Sequence, residues 1–152
     1  MILNKPYEKQ EHIDFVAYAN NHNMVIEDKG EYLECVEVVI PLEEVKATKI
    51  AELKLARDTE ELSPISFGGY LWDFDEKAQM RINGAIVALG STNTVTWTSA
   101  DNQEIKGVNA DDLKGVVGAS AIRSNTLHIK YRDLKALVES ATSQAEVESI
   151  VW

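Results

Sequence analysis

A long helical repeat in the last third of the chain constrains the fold more than any other feature. Apolar or small residues recur in alternating steps of four and three from Leu113 to Ala141, and Asn109 is placed to cap the helix. We call this series the seam: Leu113, Val117, Ser120, Ser124, Leu127, Tyr131, Leu134, Val138 and Ala141. The spacing is typical of a helix that packs lengthwise, and about 30 helical residues span about 45 Å.

The large apolar residues of the seam are the candidate partner-binding residues. They are Leu113, Val117, Leu127, Tyr131, Leu134 and Val138. A helix about 45 Å long extends further than a small domain can cover, so we expect part of the seam to meet another chain. The sequence leaves open whether the seam is internal or shared between chains, and whether a second chain is a partner protein or another copy.

The first part of the chain predicts a small helix–hairpin module over residues 1–40. Pro6 suits the first turn of a helix, and Asp28-Lys29-Gly30 separates two strand-like runs. Pro41 then opens a second helix that ends at Ser63-Pro64, and we interpret it as a linking helix over residues 41–62.

The remaining residues, 63–152, predict an α+β domain. We expect β-hairpins to pack on a shorter helix, which Asp75 caps, and on the long helix; Ser143 opens a last short helix. The predicted core contains Phe67, Tyr70, Trp72, Phe74 and Trp97 packed against Ile82, Ile86, Leu89, Leu127 and Leu134. The fold class is therefore α+β, with a helix–hairpin module, a linking helix and this C-terminal domain.

Charge argues against two classes of partner. The 152 residues carry 25 acids and 15 bases, a net charge of −10, and no cluster of Lys and Arg interrupts the excess of acids. Such a surface repels phosphate backbones and anionic lipid headgroups, so we expect neither a nucleic-acid nor a membrane partner. Cys35 is the only cysteine, which excludes an internal disulfide. No basic and apolar leader opens the chain, so we expect it to fold in the cytoplasm in which it is made.

No residue pattern points to a specific enzyme or cofactor. The three histidines have no metal-ligand spacing, and Cys35 has no paired histidine that would make it a nucleophile. The tightest group of acids includes Asp73 and Asp75, which share one face of an extended strand. With His128 they define one enzymatic alternative, a small metal-dependent hydrolase. Helix capping is the stronger interpretation of Asp75, and we expect no catalytic residue, metal or cofactor.

From about residue 45 onward, the order of motifs resembles a known family, the phage tail-associated domain of unknown function 4376. The pattern covers a charged helix, an aromatic–Gly hairpin, an Ile-x-Gly-Ala step, a Trp strand with Asp-Asn, and a final helix. The matching residues are Lys46 to Arg57, Phe67-Gly68-Gly69-Tyr70, Phe74-Asp75, Ile82-Asn83-Gly84-Ala85, Thr96-Trp97, Asp101-Asn102, His128 and Leu134-Lys135. The first 40 residues have no counterpart in this pattern.

The resemblance implies a non-catalytic bacteriophage tail protein that binds the tail fibre or baseplate as a fibre-assembly chaperone or accessory. It implies residence in the cytoplasm of the bacterial host during assembly, or in the virion tail. A permanent structural subunit of the virion tail is the alternative within the same class. The family carries no catalytic residues that could be transferred to this chain.

Overall fold

The chain has the α+β architecture that its sequence predicts. A computed structural model describes all 152 residues, with five helices and seven short strands in three antiparallel sheets. The chain divides into two compact units, residues 1–41 and residues 42–152. None of the five helices combines the length and apolar character that crossing a membrane requires.

Unit 1 is one helix on a three-stranded sheet. Its elements are β1 (Ile2–Asn4), α1 (Lys9–Asn21), β2 (Met24–Asp28) and β3 (Tyr32–Glu37), and the strand order is β1-β3-β2. Phe15 and Ala19 of α1 are buried against Leu33 and Cys35 of β3.

The hairpin is where the sequence predicts it. The helix begins later than predicted, at Lys9 after its cap Glu8, so Pro6 precedes α1 and does not lie in its first turn. The strand β1 was not predicted because three residues carry too little periodicity.

An ion pair joins the chain before α1 to the turn of the hairpin. Lys5 Nζ lies 2.7 Å from Asp28 Oδ2, and the Gly30 backbone N–H donates to Asp28 Oδ1 at 2.8 Å. The Lys5 ammonium, with the smaller contribution of the Gly30 N–H, lowers the pKa of Asp28 below its usual value of 3.8. Because the pKa is lowered in the folded state, the Asp28 carboxylate stabilises unit 1 fully at pH values above its ordinary, unfolded-state pKa. This stabilisation is lost as the pH falls through the folded-state pKa.

Removing the Lys5 charge should therefore raise the pKa of Asp28 toward 3.8. The measurement is an NMR titration of the Asp28 carboxyl carbon in the wild-type protein and in Lys5→Met. Lys9→Met removes an equal charge from α1, where the lysine has no ion pair, and should leave the titration unchanged. An Asp28 pKa that is the same in all three proteins would contradict the assignment.

Unit 2 contains the remaining eight elements. They are α2 (Leu42–Glu61), β4 (Ile65–Phe67), β5 (Tyr70–Trp72), α3 (Glu76–Leu89), β6 (Val95–Thr98), β7 (Glu104–Val108), α4 (Ala110–Ser140) and α5 (Gln144–Ser149). The predicted caps are confirmed: Asp75 caps α3, Asn109 caps α4 and Ser143 caps α5, each accepting a backbone N–H of the first turn. These caps fix where each helix begins.

Two apolar clusters fill unit 2. In the first, Trp72 and Phe74 pack with Ile82 and Leu89, as predicted, and with Leu113 and Val116 in the first turns of α4, which the prediction did not name. Tyr70 was predicted in this core, but its side chain is 41% exposed. Leu134 was also predicted there, but it packs in the second cluster, around Leu53, Val138 and Val147. The reason is length, since 14 residues of α3 span about 21 Å and cover only the first half of α4.

The seam of α4 is covered within the same chain. The helix predicted as a link over residues 41–62 lies in unit 2, and α2 packs along the second half of α4 and against α5. Leu113, Leu127 and Val138, which the sequence predicts as partner-binding residues, are buried inside the chain. Val117, Tyr131 and Leu134 are partly exposed and pack against the two clusters.

Candidate functional site

Unit 2 has a cleft where the end of α2, α3 and α4 meet. Its volume is about 430 Å³. Its lining combines carboxylates, carboxamides, hydroxyls and one guanidinium with the apolar side chains of Leu62, Phe74, Val117 and Ala121. Together with Phe74, its polar residues define what we call the polar cleft: Glu61, Glu76, Gln79, Asn83, Ser120, Arg123 and Ser124.

Arg123 holds the carboxyl end of α2 against α4. Its Nη1 donates to the carbonyl oxygens of Ser63 at 2.9 Å and Pro64 at 3.0 Å, and its Nη2 donates to the Glu61 carbonyl at 2.7 Å. The guanidinium lies 5.7 Å from the centre of the Phe74 ring, and burial lowers its pKa. A helix leaves its last carbonyls without partners, and Arg123 satisfies that of Glu61, the last residue of α2, together with two carbonyls just beyond the helix. The positive charge at this end also complements the helix dipole.

Glu61 lies between a hydroxyl and an imidazole. Ser124 Oγ donates to Glu61 Oε1 at 2.6 Å, and His128 Nε2 lies 3.2 Å from the same oxygen. A serine nucleophile needs the imidazole next to its hydroxyl, with the carboxylate behind the imidazole. Here the carboxylate occupies the middle position, so the arrangement orients side chains at the α2–α4 junction and does not activate Ser124.

The metal-dependent alternative lacks an assembled ligand set. No group of three or more His, Cys, Asp or Glu side chains in the structure is placed to hold a metal ion. Asp75 Oδ1 accepts the Ala78 N–H at 2.7 Å as the cap of α3, and His128 lies beside Glu61. The structure therefore does not bring Asp73, Asp75 and His128 together as a site.

Unit 1 exposes an apolar surface at its sheet and directly after it. Val25 and Val36 face each other across β2 and β3 on the side of the sheet away from α1. The chain then continues through Val38, Val39 and Ile40, all exposed, and Val39 is 85% exposed. We call the segment from Val36 to Ile40 the valine segment. Its valines and isoleucine are apolar residues that favour β-strands, with the charged Glu37 between Val36 and Val38. Such exposed apolar side chains are typical of a surface that another protein covers.

Sequence reasoning missed the polar cleft. One signal was available: Arg123 is the only charged Lys, Arg, Asp or Glu between Lys114 and Lys130. A single guanidinium in an otherwise uncharged stretch of helix indicates a fixed partner for its charge. Its partners are backbone carbonyls such as that of Ser63, which lies 60 positions earlier in the chain. No local pattern predicts a contact at that distance along the chain.

The fold and these sites define an α+β protein with a compact second unit, a polar cleft without an assembled nucleophile, and an apolar surface on its first unit. The family described as Domain of unknown function (DUF4376) matches residues 44–151, and the chain belongs to that family. The match covers almost all of unit 2 and none of unit 1. No curated protein and no solved structure matches the chain.

Proposed function

We propose that this protein is a non-catalytic bacteriophage tail protein that binds the tail fibre or the baseplate, as a fibre-assembly chaperone or accessory. The observation that carries the proposal is the ordered series of family motifs, from the charged helix through Phe67-Gly68-Gly69-Tyr70 to Leu134-Lys135. The resemblance associates that series with tail-fibre accessory proteins.

The valine segment is the surface we propose for this binding. Tail fibres are trimeric and β-rich, and strand edges that have not yet paired are prone to aggregate. The exposed residues Val38, Val39 and Ile40 directly follow β3 and favour strand formation, so this segment is suited to pair with such an edge as an additional strand. The net charge of −10 supports a protein partner because it disfavours nucleic acid and anionic lipid.

The test is co-expression with the tail-fibre and baseplate proteins of the same phage, followed by affinity purification and native mass spectrometry. Val39→Asp should weaken the complex by about tenfold or more, because it places a charge in the apolar contact. Val151→Asp is the matched control, since Val151 in unit 2 is 73% exposed and the added charge is the same. A complex that forms equally well with Val39→Asp would reject the valine segment as the contact. If the wild-type protein forms no complex with any fibre or baseplate protein, the proposed function fails.

The amount of this protein in purified phage particles distinguishes a permanent tail subunit from an assembly chaperone. A fixed ratio of this protein to the fibre subunit would make it a permanent subunit of the virion tail. Its absence from particles whose fibres depend on it would make it a chaperone.

A further inference from the structure

The three-stranded sheet of unit 1 has one face that α1 does not cover. Leu33 and Cys35 of β3 are buried beneath the helix, and alternate residues of a strand face opposite sides of a sheet. The strand register therefore places a second set of side chains together on the opposite side. We call this set the outer face: Ile2 and Asn4 of β1, Tyr32, Glu34 and Val36 of β3, and Val25 and Glu27 of β2.

Cross-strand pairing makes the outer face one surface. Glu34 of the central strand lies opposite Ile2 on one side and opposite Glu27 on the other. Side chains directly opposite each other have Cβ atoms about 5 Å apart, and the next residue on the same face of a strand follows at about 7 Å. Val36 is such a neighbour of Glu34, and Val25 lies opposite Val36. Ile2 is 54% exposed and Val25 is 46% exposed, so both edges of this surface are open to solvent.

The centre of the outer face carries a carboxylate without an ion pair. Lys29 Nζ lies 2.5 Å from Glu27 Oε2, whereas the half-buried Glu34 forms no ion pair. The pKa of Lys29 is raised mainly by its hydrogen bond with Glu27, with a smaller contribution from the charge of Glu34. One lysine thus balances one of two carboxylates, and one negative charge remains. Like charges directly opposite each other on neighbouring strands destabilise a sheet, so the position of Glu34 is unfavourable in the free chain.

This remaining charge decides which partner fits the outer face. A partner that covers the apolar side chains also removes water from the Glu34 carboxylate, and a buried charge is costly unless a cation pairs with it. An arginine or lysine of the partner supplies that cation, while apolar residues beside it contact Ile2, Val25 and Val36. A second copy of this chain presents the same carboxylate and a net charge of −10, so it repels this face.

The size of the outer face matches a peptide segment. The six residues of β3 extend about 20 Å, and three strands are about 14 Å wide. This area suits an extended segment of roughly six residues, and it is well below that of a standard interface, which buries about 800 Å² per partner. The valine segment continues directly from β3 and lengthens the surface available to such a segment.

We propose that the outer face binds an extended, apolar segment of the tail-fibre or baseplate protein, and that an arginine or lysine of this segment pairs with Glu34. This inference rests on the proposed function. It adds the chemistry of the partner segment to the contact that the valine segment makes.

The test uses the full chain and the fibre or baseplate protein with which it co-purifies. Glu34→Gln retains the shape of the side chain and removes its charge, so it should weaken binding by about tenfold or more. Glu31→Gln is the matched control, since it removes an equal charge from the hairpin turn just before β3, where Glu31 forms no ion pair. This control should bind like the wild type. Raising NaCl from about 0.05 M to about 0.5 M screens an ion pair, and should weaken binding of the wild type more than that of Glu34→Gln.

The outcomes separate this inference from the proposed function. A wild-type protein that binds no fibre or baseplate protein would reject both. If the wild type binds and Glu34→Gln binds equally well with the same dependence on salt, the proposed function stands and the basic partner segment is rejected. Dimers of the purified chain that native mass spectrometry detects in the wild type but not in Val25→Asp would assign the outer face to a second copy, which also overturns the proposal. Thermal melting should show Glu34→Gln to be at least as stable as the wild type, because the substitution removes the repulsion from Glu27.

Discussion

Gly115→Ala should lower the free energy of unfolding by about 1–3 kcal/mol, although alanine is normally the better helix former. Gly115 lies inside α4, where Phe67 of β4 rests directly on its backbone. A Cβ at this position would lie 2.9 Å from Cε2 of the Phe67 ring and closer still to Cζ. The ring packs against the first apolar cluster, so it moves only at the expense of its own contacts. Chemical denaturation of the two proteins measures the difference.

Gly118→Ala is the control in the same helix. Nothing lies within 4 Å of a Cβ built at Gly118, so the usual preference applies and stability should rise by about 0.5–1 kcal/mol. A double-mutant cycle tests the cause, because in a Phe67→Ala background Gly115→Ala should no longer destabilise. If Gly115→Ala stabilises the wild-type protein as Gly118→Ala does, the Phe67 ring does not lie against the backbone of Gly115.

Arg123→Ala should also destabilise unit 2, by about 2–4 kcal/mol, since hydrogen bonds to a charged group contribute about 1.5–3 kcal/mol and several are lost together. The substitution removes the only donors to the Ser63 and Pro64 carbonyls within this junction and leaves the end of α2 without its cation. Hydrogen exchange should show the loss most strongly in the last turn of α2. Chemical denaturation measures the total decrease in the free energy of unfolding.

Arg132→Ala is the matched control for Arg123. The Arg132 side chain is 74% exposed and its ion-pair partner is the adjacent Asp133, so its removal should change stability by about 0.5 kcal/mol or less. Arg123→Lys retains the charge without the planar fork and should recover only part of the loss. Equal effects of the two alanine substitutions would show that Arg123 does not hold α2 in place.

Features that depend on neighbouring residues were predictable from the sequence. Asn109 and Asp75 cap their helices because a cap needs only a suitable side chain and the N–H groups of the next turn. Asp28-Lys29-Gly30 forms the turn of a hairpin for the same reason, with Gly30 at a φ of +87°. The fold class follows from these local signals and from the helical repeat of α4.

Features that depend on distant packing were not predictable. The repeat of α4 identifies a stripe that must be covered, but it does not identify the cover. In the structure α2 packs along the second half, which buries Val138 and leaves Tyr131 and Leu134 only partly exposed. Tyr70 was expected in the core because aromatic strands usually face it, yet its position at the turn of the β4–β5 hairpin leaves it exposed. The polar cleft joins three helices whose contacts no local pattern records.

The most direct test of the account is the fibre content of phage particles assembled with and without this protein. Particles from a gene deletion are purified, and the fibre subunit is quantified against the capsid protein by mass spectrometry. The account predicts particles deficient in fibres, and restoration by the wild-type gene but not by Val39→Asp. Particles with normal fibres and normal infectivity in the absence of the protein would contradict it.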